Sequence, residues 1–232
     1  MNRICTCRQC IGADDTEISE SLTMNIWEKV GRAIRYRLVL EKLTERVLPR
    51  FGIRIEFYYW TQEGLVDNST QGCDSGAEGC TFGPFGPDEI RTLVTLVPWR
   101  SEAELLRRLD EGKLCFGVKH HGQIAAFVWC NLAECTNPWH QVPLRENEVY
   151  LFDQFTLDAF RGMNIAPYLR RRTYEALRGM GRDTFYSVTH CFNSSAVRFK
   201  QKLGARFLWL AVGINLFGRI PRHAILRRYP RG

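Results

Sequence analysis

The stretch from Glu148 to Arg206 constrains this chain most. Residues 147–158 (NEVYLFDQFTLD) and 183–190 (DTFYSVTH) are rich in aromatic and β-branched residues and read as strands. Residues 159–180 and 193–206 read as helices, so the block is strand, turn, helix, strand, helix. The first strand enters the first helix through Arg161-Gly162-Met163-Asn164-Ile165-Ala166. A strand running through a glycine-containing turn into a helix aims several backbone N–H groups at one spot. The helix dipole adds positive potential there, so the spot suits phosphate.

The remaining chain supplies the frame. Leu22, Ile26, Val30 and Ile34 recur at i+4, which predicts a helix from Ser21 to Leu48, stopped by Pro49. Ile53 to Trp60 reads as a strand. Residues 61–87 hold six Gly and two Pro and read as a long loop. Glu89 to Val97 reads as a strand ended by Pro98. Ser101 is placed to cap a helix at 102–110, with Glu104 at the capping-box position. Lys113–Lys119 and Gln123–Leu132 form a hairpin around His121-Gly122. Residues 133–147 read as irregular, and 206–212 and 222–229 as two last strands. The expected organisation is an irregular tail (1–20), an N-terminal helix, strand and loop (21–87), and a main domain (88–232) on which they pack. The fold class is α/β with a mixed, mostly antiparallel central sheet, since hairpins interrupt the alternation a doubly wound fold needs.

Charge is unevenly placed. The chain carries +7 overall, but residues 150–232 hold 15 basic against 4 acidic residues. The C-terminal half therefore expects an anionic partner: a nucleotide cofactor, an acidic carrier protein or nucleic acid. The 45% apolar content is ample for a core, and no apolar run reaches the length of a membrane span. No secretory h-region is seen at the N-terminus, so the expected compartment is the cytoplasm. The nine cysteines are odd in number and dispersed, which favours reduced thiols. Cys5, Cys7 and Cys10 cluster, but zinc takes four ligands and a fourth would have to come from His120, His121, Cys73 or Cys80. No bound metal is expected.

The turn at Arg161–Ala166 resembles the Q/R-x-x-G-x-G/A cofactor turn of the GNAT superfamily of acyl-CoA-dependent N-acyltransferases. The segment from Asn193 through Ala196 to Lys202-Leu203-Gly204 resembles that superfamily's later Asn-x-x-Ala…Lys-Leu-Gly-Phe segment. One helix and one strand separate the two, as in the family. The resemblance implies a sheet with a splayed pair of parallel strands and transfer of an acyl group from acyl-CoA to a primary amine. It implies that Arg161, Gly162, Met163, Asn164, Ile165 and Ala166 hold the pyrophosphate, with Arg170, Arg171 or Arg172 at the ribose phosphate. It also implies that the backbone of Phe155, Thr156 and Leu157 pairs with the pantetheine arm, and that Asn193 fixes the loop and contacts that arm. Asn164 departs from the family's central Gly; Asn is the non-glycine residue that best tolerates positive φ.

Acyl transfer needs a base for the ammonium. The candidates are Glu148, which lies where histone-modifying relatives carry a catalytic Glu, Asp153 deeper in the strand, and His190 at the end of the next one. The family's usual general acid, a Tyr on the last helix, corresponds to Lys200; Tyr186 and Tyr229 are substitutes. The acceptor is a small-molecule or peptide amine. Trp129, Trp139, Phe82 and Phe85 are expected to line an apolar tunnel that suits a long acyl chain, as in N-acyl amino acid synthases, which draw on acyl carrier protein. An acyl-CoA sensor is the alternative without catalysis. Nucleic-acid binding through the basic half is the third reading, and no nucleic-acid partner is expected.

Overall fold

Eight strands form one sheet, assembled out of chain order, in a computed structural model that describes residues 41–65, 78–218 and 220–230. They are β1 (Ile53–Glu63), β2 (Cys80–Pro84), β3 (Leu114–His120), β4 (Gln123–Asn131), β7 (Glu148–Thr156), β8 (Thr184–His190), β9 (Arg206–Leu216) and β10 (Ile220–Arg228). β5 (Glu134–Asn137) and β6 (His140–Pro143) form a separate hairpin. The α-helices are α1 (Pro87–Leu96), α2 (Glu102–Asp110), α3 (Ile165–Gly179) and α4 (Ser194–Lys202). The sheet runs β10-β9-β1-β8-β7-β4-β3-β2. Neighbours are antiparallel except β7 and β8, which are parallel. The mixed, mostly antiparallel sheet expected from the sequence is the one that forms.

Local chemistry corrects several boundaries. Glu89–Val97 is helical, not a strand: Pro87 sits in the first turn, and the Glu89 carboxylate accepts the Gly86 N–H at 3.0 Å. Ile90, Leu93 and Val97 then fall on one helical face and are fully buried. The long loop is shorter at both ends than expected, because β1 continues to Glu63 and residues 80–84 pair with β3. Residues 133–147 contain the β5–β6 hairpin. Ser101 precedes α2 as expected but makes no side-chain cap, and Glu104 instead bonds Arg108 at 2.6 Å. Most of the predicted helix from Ser21, together with Cys5, Cys7, Cys10 and Cys73, lies outside the described residues. Its end, Leu43–Val47, is a wide helical turn followed by a tight one at Leu48–Phe51.

Both faces of the sheet are covered. The α3 side chains Ile165, Leu169, Tyr174 and Leu177 recur at helical spacing and pack on Val149, Leu151 and Phe185. Burying each of these aliphatic side chains contributes about 1.5–3 kcal/mol. The opposite face carries α1 and α2, whose Ile90, Leu93 and Leu105 pack on Cys115, Phe127 and Trp129. The β5–β6 hairpin covers the same face further along, with Trp139 on Tyr58 and Ala211, and Cys135 on Trp60 and Tyr150. The four aromatics expected to line one tunnel are therefore dispersed. Trp129 and Phe85 belong to the α1–α2 core, Trp139 lies under the hairpin, and Phe82 stacks on Phe116 in the α3 core. No described helix is long and apolar enough to cross a membrane.

Candidate active site

The parallel pair opens like a V. β7 and β8 share the register Glu148↔Thr184 to Leu151↔Ser187 and then part. Beyond that point β8 continues on β1, with Val188↔Trp60 and His190↔Tyr58. β7 continues on β4, with Phe152↔Trp129 and Thr156↔Ala126. Between the paired positions Phe127↔Phe155 and Trp129↔Phe152, one residue of β4 (Val128) faces two of β7, so β7 bulges at Asp153-Gln154. Asp153 adopts φ 49°, a left-handed conformation that costs a non-glycine residue about 1–2 kcal/mol.

Two arginines hold that bulge. Arg100, in the link between α1 and α2, and Arg108 of α2 each donate to one Asp153 oxygen, the latter at 2.7 Å. Arg108 also lies over the Trp129 and Phe152 rings, 5.3 and 5.4 Å from their centroids. The sequence did not reveal these partners, which come from the α1–α2 link and from α2, more than 40 positions away. Asp153 was expected as a buried base; both its oxygens are instead engaged by guanidinium groups.

At the open end of β7 the chain makes the predicted turn. Arg161 is extended, Gly162 has φ 85°, and Asn164 is left-handed at φ 57° and ψ 16° before α3 begins at Ile165. Asn164 thus takes the conformation expected of a glycine substitute. The N–H groups from Gly162 to Ala166, including those of Met163 and Ile165, make no close, well-aligned backbone hydrogen bond among the described residues, although the segment itself is a turn. The helical ladder begins with Tyr168 N–H to Asn164 O at 3.2 Å, and Pro167 has no N–H to offer. Arg161 pairs with Asp158 at 2.8 Å and lies 5.6 Å from the centroid of Phe155, which also meets the exposed Trp99 ring and the buried Phe127 ring. A cleft of about 780 Å³ beside this turn lies between α1 and the β3–β4 hairpin; of the predicted site residues it contains only Leu157.

The other expected contacts divide. Leu157 is not open to a cofactor arm: its N–H bonds Ala125 O and its carbonyl accepts from Phe160 N–H, both at 2.9 Å. The alternation of an antiparallel ladder then turns Thr156 toward the gap and Phe155 toward β4. Asn193 caps α4 through Oδ1, which accepts the Ala196 N–H at 3.0 Å. His190 is more than half exposed at the mouth of the V, its Nε2 3.7 Å from Glu56. Glu148 lies at the closed end, three residues from the parting. Its carboxylate accepts the Arg145 N–H at 2.9 Å and meets the Tyr186 hydroxyl at 3.3 Å. Among the described residues it forms no ion pair. Arg172 pairs with Glu175, and Arg170, considered for the ribose phosphate, points into the protein.

Arg170 belongs to a buried charged cluster behind the point where the strands part. Glu63 of β1 is fully buried and accepts from Lys200 of α4, Ser187 of β8 and Tyr174 of α3. Lys200 also donates to Ser187, whose hydroxyl lies 2.8 Å from that of Thr61. The Arg170 Nε is 3.5 Å from Glu63, too long for a hydrogen bond, and its Nε and Nη1 have no hydrogen-bond partner among the described residues. Burial opposes ionisation of Glu63, but the Arg170 and Lys200 cations outweigh it and hold the carboxyl down at about 2. Burial in turn pushes the Lys200 ammonium down to about 8, against the pull of Glu63. Lys200, set by the sequence resemblance at the place of a general acid, is thus committed to Glu63 and Ser187. Glu63 was missed because it fell inside the predicted loop; the only signal was that β1's alternation continues past Trp60.

The chain is similar, at low identity, to several solved structures. The ribosomal-protein-S18-alanine N-acetyltransferase of Escherichia coli is 16% identical, with a TM-score of 0.45 over 54% of this chain and 76% of that one. A putative GNAT-family acetyltransferase of Novosphingobium aromaticivorans is 19% identical, with a TM-score of 0.48 over 71% and 66%. The aminoglycoside 6'-N-acetyltransferase AAC(6')-Ih of Acinetobacter baumannii is 18% identical, with a TM-score of 0.43 over 54% and 90%. No functionally curated protein sequence matches the chain. The sequence model of the acetyltransferase (GNAT) family matches residues 84–205, more than half of the chain, and the protein belongs to that family of acyltransferases.

Proposed function

We propose that the protein moves an acyl group from acyl-CoA to a primary amine by direct attack of the amine on the thioester carbonyl. The observation that carries this reading is the meeting of the β7–β8 opening with the N–H groups at the start of α3 that lack a well-aligned backbone partner. The turn from Arg161 to Ala166 holds the pyrophosphate, and Arg161 adds a charge-assisted contact. The pantetheine arm runs along the free edge of β7 past Thr156, using strand backbone as an added strand would. From Thr156 to Leu151 is five residues, about 17 Å at strand rise, so the thioester reaches the parting point. A backbone N–H of the Asp153-Gln154 bulge polarises the thioester carbonyl.

Glu148 is the base in this reading, acting through the Tyr186 hydroxyl or a water. Glu148, Tyr150, Phe152 and Tyr186 share the face covered by the β5–β6 hairpin, the face opposite the buried cluster. The amine approaches there, between the hairpin and the Trp99-Arg100 link. Asp153 then acts as the brace of the bulge rather than as a base, and Asn193 as the cap that sets the start of α4. The test is release of free thiol from acyl-CoA across a range of acyl lengths and a panel of small amines and peptides. Amine-dependent thiol release is the expected result. Acyl-CoA binding with no turnover across the panel would replace the enzyme with a sensor.

A further inference from the structure

We infer that the buried Glu63–Lys200–Arg170 cluster takes up the negative charge of the departing coenzyme A sulfur. The inference rests on the acyl-CoA reading above and adds a site to it. Three observations lead there. The cluster holds two cations and one carboxylate, so it carries a surplus positive charge in the dry interior. Arg170 is about 3% exposed, yet two of its nitrogens have no hydrogen-bond partner among the described residues. Ser187, which bonds both Glu63 and Lys200, is the last residue of β8 paired with β7. The charge therefore lies immediately behind the point the thioester reaches.

Burying a second cation against a single carboxylate costs stability, and an apolar side chain would fill the same volume at lower cost. The arrangement makes physical sense if an anion arrives. Charged and titratable groups converge from every element around it: Glu63 from β1, Arg170 and Tyr174 from α3, and Lys200 from α4. Cys130 lies nearby on β4, where it is paired with Leu151. When the carbon–sulfur bond breaks, its electron pair goes to sulfur. The proton shed by the attacking amine goes to the base on the opposite face. Sulfur therefore leaves as a thiolate, and the surplus charge balances it while Lys200 keeps its proton. The Arg170 Nε and Nη1 are sealed from the surface, so the charge acts on the thiolate through the low-dielectric interior rather than by direct contact.

The test is a pH titration of the coenzyme A thiol bound to the full-length protein, followed by ultraviolet thiolate absorbance. The bound thiol is expected to be about tenfold or more acidic than free coenzyme A. Arg170→Gln and Lys200→Met should each return it toward the free value while calorimetry still registers binding, and Arg170→Lys should keep most of the effect. A bound thiol that titrates like the free one overturns the inference and leaves the acyl-CoA reading intact. Failure of coenzyme A to bind at all overturns that reading instead. The wild-type titration decides the matter even if a substituted protein does not fold.

Discussion

Leu151 and Ser187 are the last residues at which β7 and β8 face each other in register. On one side of this pair the strands form an ordinary parallel ladder. On the other, β7 bulges at Asp153 and follows β4, while β8 follows β1. Chemistry assigned to this chain falls on either face of that one point: Glu148 and Tyr186 on the hairpin side, Glu63, Lys200 and Arg170 on the helical side.

Glu148 and Asp153 should separate cleanly. Glu148→Gln is expected to lower kcat about 100-fold while leaving affinity for coenzyme A within about twofold. Asp153→Asn should lose less than about tenfold in kcat but about 2–3 kcal/mol of stability, because it strips the partly buried Arg100 and Arg108 of their common anion. Denaturant melts beside steady-state kinetics check both, and a loss of about 100-fold in kcat in Asp153→Asn alone would exchange the two roles.

The phosphate turn predicts opposite outcomes at two neighbouring positions. A side chain at Gly162 meets open space, so Gly162→Val costs the fold only the backbone strain of φ 85°, about 1–2 kcal/mol. A pyrophosphate resting on that backbone would meet the side chain, so affinity for coenzyme A should fall at least about tenfold, the equivalent of 1.4 kcal/mol. Asn164→Gly relaxes a left-handed residue and should keep or raise both stability and affinity. Calorimetry on the two variants decides.

Glu63 ties stability to acid. Its carboxyl sits at about 2 when folded and near its ordinary value of 4.5 when unfolded. The unfolded chain therefore binds the extra proton between these values, so the contribution is complete above about 4.5 and lost as pH falls toward 2. Its size is about 3 kcal/mol. Glu63→Gln should erase this acid limb and, by leaving two buried cations unpaired, destabilise the protein at neutral pH by about 3–5 kcal/mol. Urea midpoints from pH 2 to 7 measure it.

The β5–β6 hairpin is anchored by one close approach. A Cβ on Gly213 would lie 2.3 Å from the Trp139 ring, and the Trp139 Nε1 donates to Glu56 at 2.8 Å. Gly213→Ala must push the indole out and is expected to cost about 1–3 kcal/mol. Tryptophan fluorescence should report the displaced ring, and a variant as stable as the parent with an unchanged spectrum would remove the hairpin's anchor from the account.

The block from Glu148 to Arg206 was legible because each element there states itself locally: alternation in β7 and β8, the i+4 stripe Ile165-Leu169-Thr173-Leu177, the glycine turn between. α1 was misread because Ile90, Thr92, Val94 and Thr95 carry strand propensity, while the decisive signals were the Pro87 start and the Glu89 carboxylate turning back on Gly86. The ion pairs were illegible for another reason. Glu63 and Lys200 are 137 positions apart, and Arg108 and Asp153 are 45 apart; no local pattern announces which distant charge will be folded against which. Thr156 against Leu157 was beyond reach too, because one ladder bond to Ala125 decides which backbone faces the gap.

The position of β1 between β8 and β9 has a consequence for how this chain must reach its native state. The segment that matches the family begins at residue 84, downstream of β1. Without β1, β8 and β9 would each present an unpaired edge, ready to capture another strand, and Glu63 would be missing from between its two cations. β1 leaves the ribosome early but cannot close its ladders until Arg206–Leu216 has been made. This interior strand thus makes the longest-range strand pairing among the described residues, which predicts slow, late consolidation of the sheet rather than sequential growth from one end.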